Sequence, residues 1–177
     1  MTKYVALFRG INVGGKNILP MKELRELLAG LGCENVATYI QSGNAVFTSA
    51  SNGADLSASI AGAVKDRFGF EPQVLVLAAD RFREVAAANP YQDVESDAKF
   101  VHVFFLAEAP GSPNLEALGE LKSPSEEFEF KDGAFYLHAP DGIARSKLAA
   151  QAERYLGATT TARNLRTVLK ILDLLDQ

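Results

Sequence analysis

EEFEFKDGAFYLHA, residues 126–139, turns back on itself. Two β-like runs, EEFEFK and AFYLHA, meet at Asp132-Gly133. The type I′ turn, which matches strand twist, needs positive φ at both central positions and favours Asp-Gly there, so this pair is the strongest hairpin signal in the chain. Upstream, a short helix around Asn114–Leu121 follows the strand KFVHVFFLA, Lys99–Ala107. Downstream, Leu148, Ala152, Tyr155 and Leu156 recur at helical spacing until Gly157, and the β-branched ATTTAR, Ala158–Arg163, reads as a last strand. The order is βαββαβ.

The first half repeats that order. KYVALFR (Lys3–Arg9) is apolar on both faces except at its ends, as a central strand should be. Met21, Leu24, Leu27, Leu28 and Leu31 mark a helix opened by Pro20 and stopped by Gly32. NVATYIQ (Asn35–Gln41) and NAVFTS (Asn44–Ser49) form a hairpin through Ser42-Gly43. Leu56, Ile60, Val64 and Phe68 give a helix ended by Gly69, and PQVLVLA (Pro72–Ala78) closes the set. The expected class is therefore α+β: two ferredoxin-like βαββαβ halves, duplicated in architecture but not in residues. Two helices are extra. One covers Asp80–Ala88; the other is C-terminal, from about Asn164, with Val168, Leu169, Leu172 and Leu175 facing inward. The halves span 1–88 and 99–177 as parts of one compact unit, joined by NPYQDVESDA, Asn89–Ala98, too short and lightly charged for a disordered tether.

Apolar residues make up 47% of the 177, enough for a core without disulfides or metals. The single cysteine, Cys33, has no internal partner, and the N-terminus enters a strand with no leader-like pattern, so a cytoplasmic setting is expected. No window approaches the roughly twenty apolar residues of a membrane span. With 22 Asp and Glu against 18 Lys and Arg, the net charge of −4 gives no overall attraction to nucleic acid or anionic membrane.

RGINVGGKN, residues 9–17, is the first candidate for function. Gly10, Gly15 and Lys16 fit the phosphate-loop pattern until Asn17, which has no hydroxyl for magnesium. Pro20 also starts the helix a turn too late, and a partly antiparallel sheet is the wrong host. Two readings stay open. Gly14 and Gly15 can form an anion-binding concavity beside Arg9 and Lys16, or the asparagines and glycines only satisfy their own turns.

The stretches ALFRGINVGGKNILPMKELRELL, TYIQSGNAVF, PDGIARSKL and TTTARN together resemble the bacterial family DUF1697, a domain of unknown function. The likeness runs from the first strand to the last helix. It departs at Leu165-Arg166, where tryptophan and asparagine are usual, and at Ala144, where glycine is common. The resemblance implies paired ferredoxin-like halves in an α/β fold and no assigned activity.

With strands one and three taken as parallel, the loop after strand one and the loop after strand three share a sheet edge. HAPDGIARSK (His138–Lys147) opens a helix whose first turn, with Arg145, Ser146 and Lys147, suits an anion. If the edges of the two halves adjoin, Arg9, Asn12, Lys16, Arg145, Ser146 and Lys147 line one basic cleft, with Gly14 and Gly15 permitting close approach. Ser42 and Asn44, with Arg163 and Asn164, belong to the opposite edge as a second cluster or as plain turn and cap residues.

Catalytic patterns are scarce. His102 reads as a satisfied strand residue; His138 is the better general-base candidate. Cys33 reads as a buried, inert thiol. No zinc or calcium ligand spacing is present, and no cofactor is implied. Phe104, Phe105, Phe128, Phe130, Phe135 and Tyr136 could stack RNA bases, though helices should cover one sheet face and EEFEF is acidic. The expectation is an anionic small-molecule binder, phosphorylated or carboxylated. A nucleic-acid-binding module and an interaction protein without catalysis are the alternatives. Reaction type, ligand identity and oligomeric state are not written in these residues.

Overall fold

The computed structural model describes residues 1–93 and 98–177. Part of the expected joining segment, 94–97, lies outside the described residues. The chain forms two compact units: Met1–Arg83 together with Lys170–Gln177, and Glu84–Leu169.

In the first unit, β1 (Thr2–Arg9), α1 (Met21–Gly30), β2 (Glu34–Tyr39), β3 (Asn44–Ser49), α2 (Gly53–Phe68) and β4 (Gln73–Ala78) make a four-stranded sheet of order β2-β3-β1-β4. Every neighbouring pair is antiparallel, with Tyr4 opposite Phe47 and Ala78. Tyr4, Ala6, Phe8 and Phe47 project to one face, where Leu24, Leu28, Leu56, Ile60 and Val64 of the two helices cover them. Each buried Leu, Ile, Val or Phe among them contributes about 1.5–3 kcal/mol on leaving water. Val5 and Leu7, alternating to the other face, are also fully buried, which is why β1 is apolar throughout. Asn52 caps α2 by accepting the Asp55 N–H, and Gly69 ends it at φ 78°. Pro20 proves to be the extended residue just before α1, which begins at Met21.

α3 (Ala79–Ala87) leads into the second unit. There β5 (Val101–Leu106), α4 (Leu115–Leu121), β6 (Glu127–Lys131), β7 (Ala134–His138), α5 (Lys147–Leu156) and β8 (Thr160–Asn164) repeat the order, as a sheet β6-β7-β5-β8. Phe104, Phe135 and Leu137 face Leu118, Leu148, Ala152 and Leu156. A single 3-10 turn, Ile143–Arg145, precedes α5. α6 (Leu165–Leu175) follows, its final residues belonging to the first unit. There Lys3 Nζ donates to the Leu175 carbonyl at 2.8 Å, and Arg83 pairs with Asp176 at 2.5 Å. Leu169, expected to face inward, is 49% exposed; Val168, Ile171 and Leu175 carry the buried stripe instead. The protein is thus α+β, two antiparallel sheets flanked by helices in the βαββαβ pattern, plus a C-terminal helix.

One expectation fails in both units. Strand three is antiparallel to strand one, not parallel to it. The crossover through the first helix makes strands one and two parallel with a gap between them, and the hairpin reverses strand three into that gap. The loop after strand one therefore shares its edge with the hairpin turn. The loop after strand three shares its edge with the end of strand four.

Candidate functional site

In the first unit this topology puts residues 9–17 against the β2–β3 turn, and the two lock together. Asn12, at φ 53°, donates its backbone N–H to the Asn17 carbonyl at 3.0 Å, and Lys16 donates to Val13 at 3.0 Å. Gly14 and Gly15 sit between at φ 58° and 71°, so the loop is a miniature hairpin on a tight glycine turn. The Asn12 side chain accepts from the Leu19 N–H at 2.8 Å and donates to the carbonyls of Leu19 and Gln41 at 2.9 and 2.7 Å. Asn17 donates to the Gly10 carbonyl, and Phe8 N–H to that of Gly43. Asn44 is buried and donates to the Tyr39 carbonyl and the Ser42 hydroxyl. Asn12, Ser42 and Asn44 are thus fastened into turns of their own chain.

What this loop presents outward is different. Gly14, Gly15 and Lys16 are exposed, and Arg9 donates to the Gln73 side chain at 3.2 Å on the neighbouring strand. Val13, Ile18 and Ile40 stand beside them, 67%, 54% and 48% exposed. No helix begins at Lys16, so the loop lacks the aligned amides of a nucleotide phosphate loop.

In the second unit, residues 139–147 open onto a recess of about 390 Å³. Arg145 ends the 3-10 turn and Lys147 begins α5, so both cations lie on one wall. Ser146 between them is buried and caps α5 by accepting the Ala149 N–H at 3.0 Å. The facing wall is the end of α4 and the turn beyond it. It carries Glu120, Lys122, Ser123 and Glu126. Lys122 Nζ donates to the Glu126 carbonyl at 2.7 Å, and the buried Glu126 carboxylate accepts the Ser123 N–H at 2.9 Å. Fastened in this way, Lys122 and Glu126 keep fixed positions in the wall. Sequence reasoning found Arg145 and Lys147 but missed Lys122, Ser123 and Glu126, which carry no motif and meet the cations only through α4–α5 packing. The one available signal was a lysine at a helix end followed by a Ser-Pro-Ser turn.

The remaining candidates have structural surroundings. His138 lies opposite Glu127 on β6, with its ring centroid 6.1 Å from that of Tyr91. Burial, then the charges of Glu127 and Glu129, push the Tyr91 phenol up to about 12. His102 is buried and burial lowers its pKa, opposed by a hydrogen bond with the Phe100 backbone. Burial raises the Cys33 thiol, leaving it protonated and unreactive. Arg163 donates to the Ala162 carbonyl and is pulled down to about 10 by burial, so it stays charged at neutral pH. Asn164 caps the start of α6 by accepting the Thr167 N–H. Both sit at the same edge of their sheet as His138, since β8 ends beside the start of β5. Phe104, Phe105, Phe135 and Tyr136 are buried, and Phe128 and Phe130 pack against that core, so these rings form no exposed stacking surface. Among the described residues no group of three or more His, Cys, Asp or Glu is arranged to hold a metal, and no helix is long and apolar enough to cross a membrane.

Comparison with known proteins fits the fold and leaves the chemistry open. A family model described as "Protein of unknown function (DUF1697)" matches residues 1–136, and the chain belongs to that family. It is also similar to a solved structure described as conserved bacterial protein SP0830 from Streptococcus pneumoniae. The two are 26% identical with a TM-score of 0.73, covering 98% of each chain. No curated protein matches. Arg145 and Lys147 lie beyond the span matched by the family model.

Proposed function

We propose that this DUF1697 protein binds a small anionic molecule, phosphorylated or carboxylated, in the recess of its second unit. The observation that supports this is the meeting of Arg145 and Lys147 on one wall with Lys122 on the other, around a volume suited to a metabolite. A guanidinium offers a planar fork to phosphate or carboxylate, and the ammonium groups add charge from either side. Lys122 is held by its bond to the Glu126 carbonyl, so less side-chain entropy is lost when a ligand arrives. A cytoplasmic setting accords with the unpaired thiol of Cys33.

A second reading, an interaction surface without catalysis, is favoured by the exposed Val13, Ile18 and Ile40 around Lys16 on the first unit. Nucleic-acid binding has less support, because the aromatic rings that would stack bases are in the core.

Thermal-shift screening with nucleotides, sugar phosphates and acidic metabolites tests the first reading. Binding of one class should raise the melting temperature by mass action. Arg145→Ala and Lys147→Ala should each lose most of that rise, while Lys16→Ala keeps it. No rise with any anion, or a rise unchanged in both variants, would overturn it.

A further inference from the structure

Resting on the anion-binding reading, we infer that the ligand is a phosphomonoester on a polyhydroxylated body, a sugar or polyol phosphate, and not a dicarboxylate. The charges in the recess lead there. Its walls hold three cations, Lys122, Arg145 and Lys147, but also two carboxylates, Glu120 and Glu126. The α4 wall carries Glu120 and Glu126 against Lys122 alone, so a dicarboxylate spanning the recess would bring its second negative charge to a wall that is already net negative, and like charges in a partly desolvated site repel. A ligand with its whole charge at one end avoids that. Its phosphate pairs with Arg145 and Lys147 on one wall, leaving an uncharged body against the other.

The chemistry of that other wall specifies the body. Glu126 is 4% exposed, and one of its oxygens accepts the Ser123 N–H. A carboxylate has about four acceptor sites and no donor, so what remains to it is the capacity to receive O–H groups. Ser123 adds a hydroxyl, in contact with Ser125 at 3.3 Å, and Ser125 donates to Asp141 at 2.6 Å. Carboxylates and hydroxyls facing a ligand are matched by ligand hydroxyls, which both donate and accept. A purely apolar body would leave Glu126 desolvated without compensation. Among the described residues Leu121 is the one apolar side chain in the lining. At about 390 Å³ the recess has room for a phosphate with a small sugar or polyol.

Calorimetric titration of the full chain with three probes, glucose 6-phosphate, inorganic phosphate and succinate, tests this. Glucose 6-phosphate should bind at least about tenfold more tightly than either of the others. Glu126→Gln should cost the sugar phosphate about tenfold and leave inorganic phosphate unchanged or slightly tighter, since a negative charge is lost while the Ser123 N–H keeps an oxygen to donate to. Glu120→Gln, at an exposed position on α4, should show the same asymmetry more weakly. Equal affinity for all three probes, or equal tightening of all three in both variants, would overturn the polyol inference and leave anion binding standing. Absence of binding by every probe would overturn both.

Discussion

Residues 9–17 of the first unit and 139–147 of the second are built from the same materials: glycine, an aspartate or asparagine, and basic side chains near a helix start. The structure uses them oppositely. In 9–17 the polar groups turn inward, and Asn12 alone makes three side-chain bonds to its own chain. In 139–147 the folding work falls to Ser146, which caps α5, while Arg145 and Lys147 remain at a recess. A polar, glycine-rich loop is therefore informative about ligands only after its own amides and carbonyls have been accounted for.

The contrast can be broken by substitution, and the largest effect belongs to the locked loop. Gly43 is at φ 84°, and a Cβ there would stand 2.6 Å from Ile11 Cδ1 and Phe8 Cβ. Gly43→Ala should cost about 3–5 kcal/mol in chemical denaturation, strain and overpacking together. Asn12→Ala, which orphans the Leu19 N–H and releases the Gln41 turn, should cost about 2–3 kcal/mol. Its counterpart Ser146→Ala should cost only about 1 kcal/mol as a lost cap. If the two were equal, the claim that the loops divide their duties differently would fail. Gly14→Ala separates backbone strain from packing: φ is 58° but nothing lies within 4 Å of the added carbon, so about 1 kcal/mol is expected.

The smallest effect is a pH dependence. His102 is buried with its pKa lowered, so the unfolded chain takes up a proton before the folded one does. Its contribution is complete above the unfolded value of about 6.5 and declines as pH falls from there toward the folded pKa. Denaturation midpoints measured across that window should fall less steeply in His102→Gln than in the wild type.

Much of the architecture could be read from the residues. The unbroken apolar run of KYVALFR, the Asp132-Gly133 turn and the helix stops at Gly69 and Gly157 each encode a local geometry that the chain adopts. Strand direction could not be read the same way. Whether strand three runs with or against strand one depends on how a crossover helix and a hairpin share one sheet, and no single residue records it. Asn12 misled for a related reason. An asparagine suited to an anion is chemically identical to one that ties its loop to Gln41, 29 residues away. Half of the recess was hidden as well. Arg145 and Lys147 stand out beside a helix start, but Glu126 and Lys122 join them only once α4 and α5 have packed.

The attachment of Lys170–Gln177 to the first unit has a consequence during synthesis. Lys3 Nζ meets the Leu175 carbonyl, and Arg83 meets Asp176, so β1 and its neighbours are completed by residues translated after the entire second unit. On the ribosome the earliest strands emerge long before the segment that finishes their packing, while the later unit is contiguous and can close as soon as it clears the exit tunnel. Chains truncated after Leu169 and released from the ribosome should hold a protease-resistant second unit and a first unit more open to cleavage, an inversion of the usual N-to-C order of folding.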